Sequence, residues 1–308
     1  KKERRVCMYL DSNTSYKGTM RKRRALIVAA IIGVLALTMV IYNYYWSTKL
    51  INAINSSNVT KVQQLIDDKG LCSINFPGGG APYLINVEFW PVTPLQSACK
   101  KGNYTMIRTL LNNGANPNAS SPAEYSPLVL ILYHSDKDDL KTVELLVHHG
   151  VDLEKTYCTS TMKPILYAAG SSPYNVDRNE GKHKYNAKKA KRITEIYVYL
   201  LNHVTDKTPK DKETGENALL LSARMFNVPL AEYVVKEQGI KINSVDKEGK
   251  TALYLEPDNK NNKNDPSIKM TKLLIELGID VNVKDDKGKT AYDYAVAHHY
   301  KYLIPLLR

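Results

Sequence analysis

Apolar residues recur three and four positions apart in several segments that each end on a glycine. In YTMIRTLLNNG (104–114), the apolar positions from Met106 to Leu111 fall on one face of a helix. TVELLVHHG (142–150) and MTKLLIELG (270–278) have the same spacing, and a glycine directly after a helix suits the left-handed C′ position. The pattern predicts a series of amphipathic helices, each closed by a glycine.

A shorter apolar segment precedes each of these helices and often opens with Thr or Ser followed by Pro or Ala, as a helix start does. These starts are spaced 33 to 39 residues apart, except for one spacing of 54, and they fall at 93, 126, 163, 217, 251 and 290. A recurrence of this length is typical of helical repeats. Because one helix pair cannot bury both of its faces, we expect the units to stack around a shared core.

The segment at 93–119 resembles an ankyrin repeat, with T-P-L and Ala at its start and L-L-x-x-G-A-x-x-N at its end. Gln96 replaces the usual His of that pattern, and Cys99 replaces an Ala, so we expect a buried thiol there. A more degenerate unit fits 49–75, and the resemblance covers 49–308. It implies an all-α fold, an ankyrin-repeat solenoid of six to seven units.

Two further stretches share the tripeptide Gly-Lys-Thr: VDKEGKTALYL (245–255) and KDDKGKTAYDY (284–294). A phosphate-binding P-loop also needs a glycine five positions earlier, where this chain has Ser244 and Val283. We therefore interpret both stretches as hairpins between units, in which Asp begins the turn, Gly permits its backbone and Thr opens the next helix. No nucleotide or other cofactor is expected.

Three insertions interrupt the repeat pattern, at 76–92, 170–191 and 257–266. Loop insertions of this kind are tolerated because loop entropy grows slowly with length. The second and third are polar, and we expect them to be mobile. The first carries several aromatic residues, which is typical of a loop that contacts a partner.

The N-terminal region contains about eighteen uncharged, mostly apolar residues (25–42) behind the basic string RKRR (21–24). This length is close to that needed to cross a bilayer. A core helix would seldom be apolar all round behind four cations. The aromatic residues Tyr42, Tyr44, Tyr45 and Trp46 are expected to form a belt at the far interface. The sequence thus predicts three regions: a basic cytoplasmic segment (1–24), a transmembrane or signal-anchor helix (25–46) and an ankyrin-repeat domain (47–308).

Charge bias predicts the orientation of this single-pass anchor. Four cations flank its N-terminal side and only Lys49 lies close on the other, so the array is expected in the periplasm of an inner-membrane protein. A cleaved signal peptide is the alternative, but no A-x-A site follows the apolar run. Met20 stands where a signal anchor would start, which leaves 1–19 as an upstream extension of uncertain status.

Composition argues against other classes of function. The net charge is +12, but the basic excess is concentrated in the N-terminal 24 residues, which weakens a nucleic-acid interpretation. No nucleophile or zinc-protease motif supports an enzyme, and no C-x-x-C or His/Cys cluster supports a metal site. His148 and His149 are interpreted as cations at a helix C-terminus. Three cysteines follow the anchor, so at least one is expected to stay unpaired within the chain.

Tyrosine is abundant, with 21 residues against three Phe and two Trp. Tyr254 and Tyr292 are expected in the core. Other aromatic residues fall in the first insertion, on first helices and at hairpin tips, where tyrosine suits protein recognition. The candidate partner-binding residues are Tyr83, Phe89, Trp90, Tyr125, Tyr133, His134, Tyr157 and Tyr167.

Three classes of function compete: a protein-binding module, an enzyme and a nucleic-acid or phosphate binder. Only the first agrees with the residues. An anchored array of this form resembles the ankyrin-type immunity proteins paired with phospholipase effectors of type VI secretion. That resemblance implies a stoichiometric inhibitor that binds an incoming lipase toxin in the periplasm. The alternative is a membrane-anchored scaffold or adaptor for another protein client.

Overall fold

The computed structural model describes residues 2–78, 92–119, 125–134, 139–156, 162–177, 182–257 and 262–308. Within these ranges, the side chains of residues 2–20, 134, 175–177 and 182–184 are not described. The elements in chain order are α1 (Lys2–Asn55), α2 (Val59–Asp67), α3 (Pro94–Lys101), α4 (Tyr104–Asn112), α5 (Pro127–His134), α6 (Asp139–His148), α7 (Pro164–Ala169), β1 (Tyr174–Asp177), β2 (Lys182–Tyr185), α8 (Ala187–His203), α9 (Ala218–Arg224), α10 (Val228–Lys236), α11 (Pro266–Glu276) and α12 (Ala291–Ala297), followed by a short 3₁₀ turn at Ile304–Leu306.

These helices form two layers, as the predicted stacking of helix pairs requires. The first helices of successive units pack side by side in the order α1, α3, α5, α7 and α9. The second helices form the other layer, in the order α2, α4, α6, α8, α10 and α11. One continuous core runs between the layers. The predicted all-α solenoid is therefore confirmed, with a single two-stranded hairpin, β1–β2, added among the described residues.

Local sequence explains where the helices begin and end. Thr93 opens α3 with a capping box, in which its hydroxyl accepts from the Gln96 backbone and the Gln96 side chain accepts from the Thr93 backbone. The Gln96 amide also donates to the Tyr125 carbonyl of the next unit (3.1 Å), so the residue that replaces the usual His links two repeats. Gly114 and Gly278, which follow α4 and α11, both have φ of +86°. The prediction that glycine closes these helices is confirmed.

The two Gly-Lys-Thr stretches form hairpins, as interpreted from the sequence. Asp246 accepts two backbone N–H groups of its own turn through one carboxylate oxygen, and Asp285 does the same. A related turn at 211–216 has its Gly one position later, and there Asp211 accepts from the backbone N–H groups of Glu213 and Thr214. Neighbouring turns are joined by backbone hydrogen bonds, from Lys247 to the Thr214 carbonyl and from Asp286 to the Glu248 carbonyl.

The boundary between the apolar segment and the array differs from the prediction. Helix α1 passes through it without a break, and its last turns are the first helix of the first unit. Trp46 was expected at a membrane interface, but it is buried in the array with 6% exposed, and its indole N–H donates to the Leu65 carbonyl (3.1 Å). The folded array therefore begins at Asn43, which is also 6% exposed, and not at 47.

One predicted insertion and one predicted first helix also differ from their expected structure. The segment 170–191 contains the hairpin β1–β2, and its last residues already belong to α8, which starts at Ala187 after the N-cap Asn186. Residues 251–257 were expected to form a first helix, but they form only turns. Pro257 explains this, because it disfavours the helical conformation of the residue before it. The remaining segment is too short to form a stable helix.

Candidate protein-binding surface

Three of the predicted partner-binding residues meet on the layer of first helices. Tyr125 precedes α5, Tyr133 lies near the end of α5, and Tyr167 lies on α7. The Tyr125 ring stacks on Tyr133 at 6.2 Å between centroids and meets Tyr167 edge-on at 5.8 Å. Tyr133 is the most open of the three, with 67% exposed, whereas Tyr125 is 37% exposed and Tyr167 is half-buried. We call these three residues the tyrosine cluster.

A cavity of about 390 Å³ adjoins the tyrosine cluster, and Tyr133 of that cluster lines it. Its wall is mostly apolar, with Leu132, Ile193 and Met225, and it carries two charged groups, Asp139 and Lys189. This volume lies within the range of small-molecule sites and is ample for one or two side chains of a partner. Exposed aromatic rings beside a pocket are typical of the anchor points that dominate protein interfaces.

The start of the inserted segment lines part of this cavity, through Gly170, Ser171, Ser172 and Tyr174. Tyr174 of β1 is buried and packs edge-on against Tyr185 and Phe226. The Lys189 ammonium donates to the Tyr174 carbonyl (3.2 Å), which ties α8 to the strand. Burial raises the pKa of the Tyr185 phenol, so this ring stays neutral. Sequence reasoning missed Tyr174 and Lys189, although the tyrosines spaced through 170–191 were a usable signal of packing.

The other predicted residues are not brought into this surface by the described structure. Tyr83, Phe89, Trp90 and Tyr157 lie outside the described residues. His134 ends α5, but its side chain is not described.

Two tyrosines that were expected in the core, Tyr254 and Tyr292, are both half-buried against it.

An ion-paired group joins the third and fourth units at their loops. The Lys163 ammonium lies 2.8 Å from a Glu154 oxygen and 3.2 Å from an Asp206 oxygen. The other Glu154 oxygen accepts from the backbone and the hydroxyl of Thr205, both at 2.9 Å. The hydrogen bond from Lys163 lowers the pKa of Glu154 to about 2. Because these groups bond one another across a unit boundary, we interpret them as a structural clip.

The remaining candidate chemistry has a structural explanation. His148 ends α6, as predicted, and the described residues contain no group of three His, Cys, Asp or Glu that could hold a metal. Cys99 is completely buried, as expected, and burial strongly raises the pKa of its thiol. Cys72 is also a buried free thiol, while Cys7 lies where no side chain is described and Cys158 lies outside the described residues.

One helix of the described chain is long and apolar enough to cross a membrane, and it spans Arg21–Asn55 of α1. Its apolar side chains are not covered by the array: Leu26, Ile32 and Leu37 are each 60% to 70% exposed. An apolar core helix is therefore not what this segment forms. Its length and composition are compatible with membrane anchoring.

Comparisons with known proteins agree with this architecture. A family model described as ankyrin repeats (3 copies) matches residues 50–157. Alpha-latrocrustotoxin-Lt1a of Latrodectus tredecimguttatus is 25% identical over 227 residues, which is 70% of this chain and 14% of that protein. Ankyrin repeat, SAM and basic leucine zipper domain-containing protein 1 of Homo sapiens is 31% identical over 122 residues, 39% of this chain and 23% of that protein. The chain thus spans less than a quarter of the length of these relatives.

Two solved structures share the fold. The human ASB11 ankyrin repeat domain aligns with a TM-score of 0.58 at 17% identity, covering 84% of this chain and 95% of that chain. The ankyrin repeat domain of Bcl-3 aligns with a TM-score of 0.55 at 17% identity, covering 84% and 97%. At this identity the likeness shows the fold alone. Together with the matched repeats, it establishes the fold, which is an ankyrin-repeat solenoid.

Proposed function

We propose that the protein is a membrane-anchored binder of another protein, and that the tyrosine cluster with its cavity is the centre of the binding surface. The observation that carries this proposal is the pairing of open aromatic rings with a pocket on the layer of first helices. Ankyrin arrays typically bind proteins through a rigid extended surface without chemistry of their own. The uncovered apolar side chains of α1 support the anchoring part of the proposal.

The finer proposal names the client as a lipase or phospholipase toxin delivered by type VI secretion, which the protein neutralises by stoichiometric binding. It rests on the resemblance to ankyrin-type immunity proteins and on the charge bias around α1, which favours an inner-membrane protein with its array in the periplasm. Binding would cover the mouth of the lipase active site or its lipid-facing surface. This requires only a complementary surface with a few aromatic anchors.

A lipase assay tests the finer proposal directly. On this proposal we expect the gene next to this one to encode a lipase; that lipase is titrated with the full chain in detergent, and residual lipolysis is measured. We expect inhibition to be complete at one equivalent. Tight binding without loss of lipolysis would instead make the protein a scaffold or adaptor, which is the alternative function.

Variants then test the surface. Tyr133→Ala and Tyr125→Ala should weaken binding and leave the melting temperature nearly unchanged, because both rings are exposed. Tyr104→Ala is the matched control, since Tyr104 lies on α4 in the layer of second helices. Equal weakening by all three substitutions would remove the tyrosine cluster from the interface.

A protein fusion tests the orientation. Alkaline phosphatase joined after Arg308 is active only in the periplasm. Activity of this fusion is expected, and its absence together with a carbonate-resistant membrane fraction would reverse the proposed topology.

A further inference from the structure

The apolar segment of α1 meets the array without a linker. Tyr42 is 58% exposed, whereas Asn43, one residue later, is 6% exposed and Ser47 is fully buried. Three hydrogen bonds hold this part of α1 to the first unit: Trp46 to the Leu65 carbonyl, Ser47 to the Phe76 carbonyl (2.6 Å), and the Ser73 backbone N–H to the Asn43 side chain (2.7 Å). A helix fixed in this way sets the direction of the whole array.

Contacts along α1 show that α3 runs parallel to it. The start of α3 lies beside Ser47, because Gly78 pairs with Val92 and a Cβ on Gly78 would lie 2.8 Å from the Ser47 hydroxyl. Further along both helices, the Ser97 hydroxyl donates to the Asn55 side chain (3.1 Å). Thus the first helices point away from the apolar segment.

Helix α2 runs back in the opposite direction, since the Trp46 bond to the Leu65 carbonyl joins the end of α2 to the start of the folded part of α1. The solenoid therefore has two different edges. The loop edge, where second helices end and the next first helices begin, lies on the same side as the apolar segment; in the described chain it includes 68–78, 113–119, 149–156 and 204–216. The turn edge, where first helices turn into second helices, lies on the far side and includes 56–58, 102–103 and 225–227.

Asparagine side chains tie the loop edge into one strip. Asn75 accepts from the Asn116 backbone (2.7 Å) and donates to the Gly114 carbonyl (3.3 Å). Asn118 repeats this arrangement one unit later, with the Asp152 backbone (2.7 Å) and the Gly150 carbonyl (2.9 Å). Successive loops are therefore held at the same height along the helix axes. The hydrogen bond between Ser73 and Asn43 fixes the first of these loops beside the end of the apolar segment.

Leu71 lies in this first loop and is 80% exposed, the most exposed of the large apolar side chains in the described structure. It stands two residues from Ser73, whose backbone N–H bonds to Asn43, and two residues span at most about 7 Å. Leu71 is thus held close to the point where the apolar segment of α1 ends. Lys69, two residues before Leu71, adds a long side chain of the kind that reaches toward headgroups.

We infer that the loop edge of the solenoid faces the bilayer that holds α1, and that Leu71 enters the interface of that bilayer. The inference rests on the proposed anchoring of α1. The array then stacks its units along the membrane surface, with the turn edge directed away from it. An exposed leucine, which costs free energy in water, gains a lipid contact at this position.

Spin labels in the full chain test the inference in vesicles of phosphatidylethanolamine and phosphatidylglycerol. Single cysteines are placed at Leu71, Ser56 and Ile32 after the four native cysteines are replaced, and collisions with oxygen and with a water-soluble nickel chelate are compared. Ser56 is the matched control, because it belongs to the same unit, is exposed and lies on the turn edge. Circular dichroism and melting of each labelled protein establish that it is folded.

The expected result is a nickel accessibility at Leu71 several-fold lower than at Ser56, and oxygen-dominated collisions at Ile32. If Ile32 is in lipid while Leu71 is as open to nickel as Ser56, the orientation is wrong but the anchoring stands. If Ile32 itself is open to nickel in membrane-bound protein, the proposed anchoring fails, and the inference fails with it.

Discussion

Replacing Trp46 by Ala tests whether the end of the anchor helix belongs to the array. The indole is 6% exposed and its N–H donates to the Leu65 carbonyl of α2. Removing a buried Trp side chain costs about 3–5 kcal/mol, including about 1 kcal/mol for the lost hydrogen bond. Because each unit of a solenoid contacts only its neighbours, we expect the loss to fall on the first unit. Hydrogen exchange of the full chain in detergent micelles should show α2 opening roughly a hundredfold or more above its original rate.

Tyr45→Ala is the matched control, since the adjacent ring is 59% exposed and lies 4.4 Å from the Lys49 ammonium. An exposed cation–π contact contributes about 0.5–1 kcal/mol, so this variant should change exchange in α2 little. Equal effects of the two substitutions, or an unchanged α2 in the Trp46 variant, would refute the placement of Trp46 in the core. The array would then start after the aromatic residues.

Three further predictions concern the repeats themselves. Glu154→Gln should remove the ion pair between Glu154 and Lys163. The pKa of the Glu154 carboxyl in the folded chain is about 2, below its ordinary 4.5. The stabilisation of the fold by this ion pair is therefore fully present above about pH 4.5 and is lost as pH falls toward 2. Allowing for solvent screening at the 38% exposed Glu154 side chain, it amounts to about 1 kcal/mol, and urea unfolding should show a larger difference between the two proteins at pH 7 than at pH 3, where part of the stabilisation is already lost. Gly288→Ala should cost about 1–2 kcal/mol for its left-handed backbone, and Gly249→Ala more, since its Cβ would also lie 2.9 Å from the Asp286 carboxylate; equal melting temperatures would contradict the stacking of the hairpins. Cys99 should react with maleimide only as the array unfolds, and labelling of the native protein at the rate of a free thiol would show that it is not buried.

The repeats were predictable because they rest on local rules. A glycine after an amphipathic helix and a threonine or serine before a short one recur in several units, and the structure has left-handed Gly114 and a capping box at Thr93 where these rules place them. The failures lie where contacts between distant residues decide. Trp46 follows an apolar run and looks interfacial, but α2 returns beside it and accepts its hydrogen bond.

The candidate surface was predictable only in part, for a similar reason. Tyr125, Tyr133 and Tyr167 fall on the starts and faces of first helices, so their repeat positions place them on one layer. The cavity beside them is lined in part by Ser171, Ser172 and Tyr174 of the inserted segment and by Lys189, which donates to the Tyr174 carbonyl. The repeat pattern does not describe an inserted segment, so it predicts neither the hairpin nor the cavity.

The unbroken course of α1 has a consequence for release of the array from its anchor. A protease that cuts α1 at or before Tyr42 leaves Asn43, Trp46 and Ser47 with the array, and the soluble fragment keeps its terminal cap. A cut four or more residues later removes Trp46 and exposes the core of the first unit. A released fragment therefore stays intact only if the cut lies before Asn43, where the helical backbone hinders a protease and, in the proposed membrane-anchored protein, the bilayer does so as well.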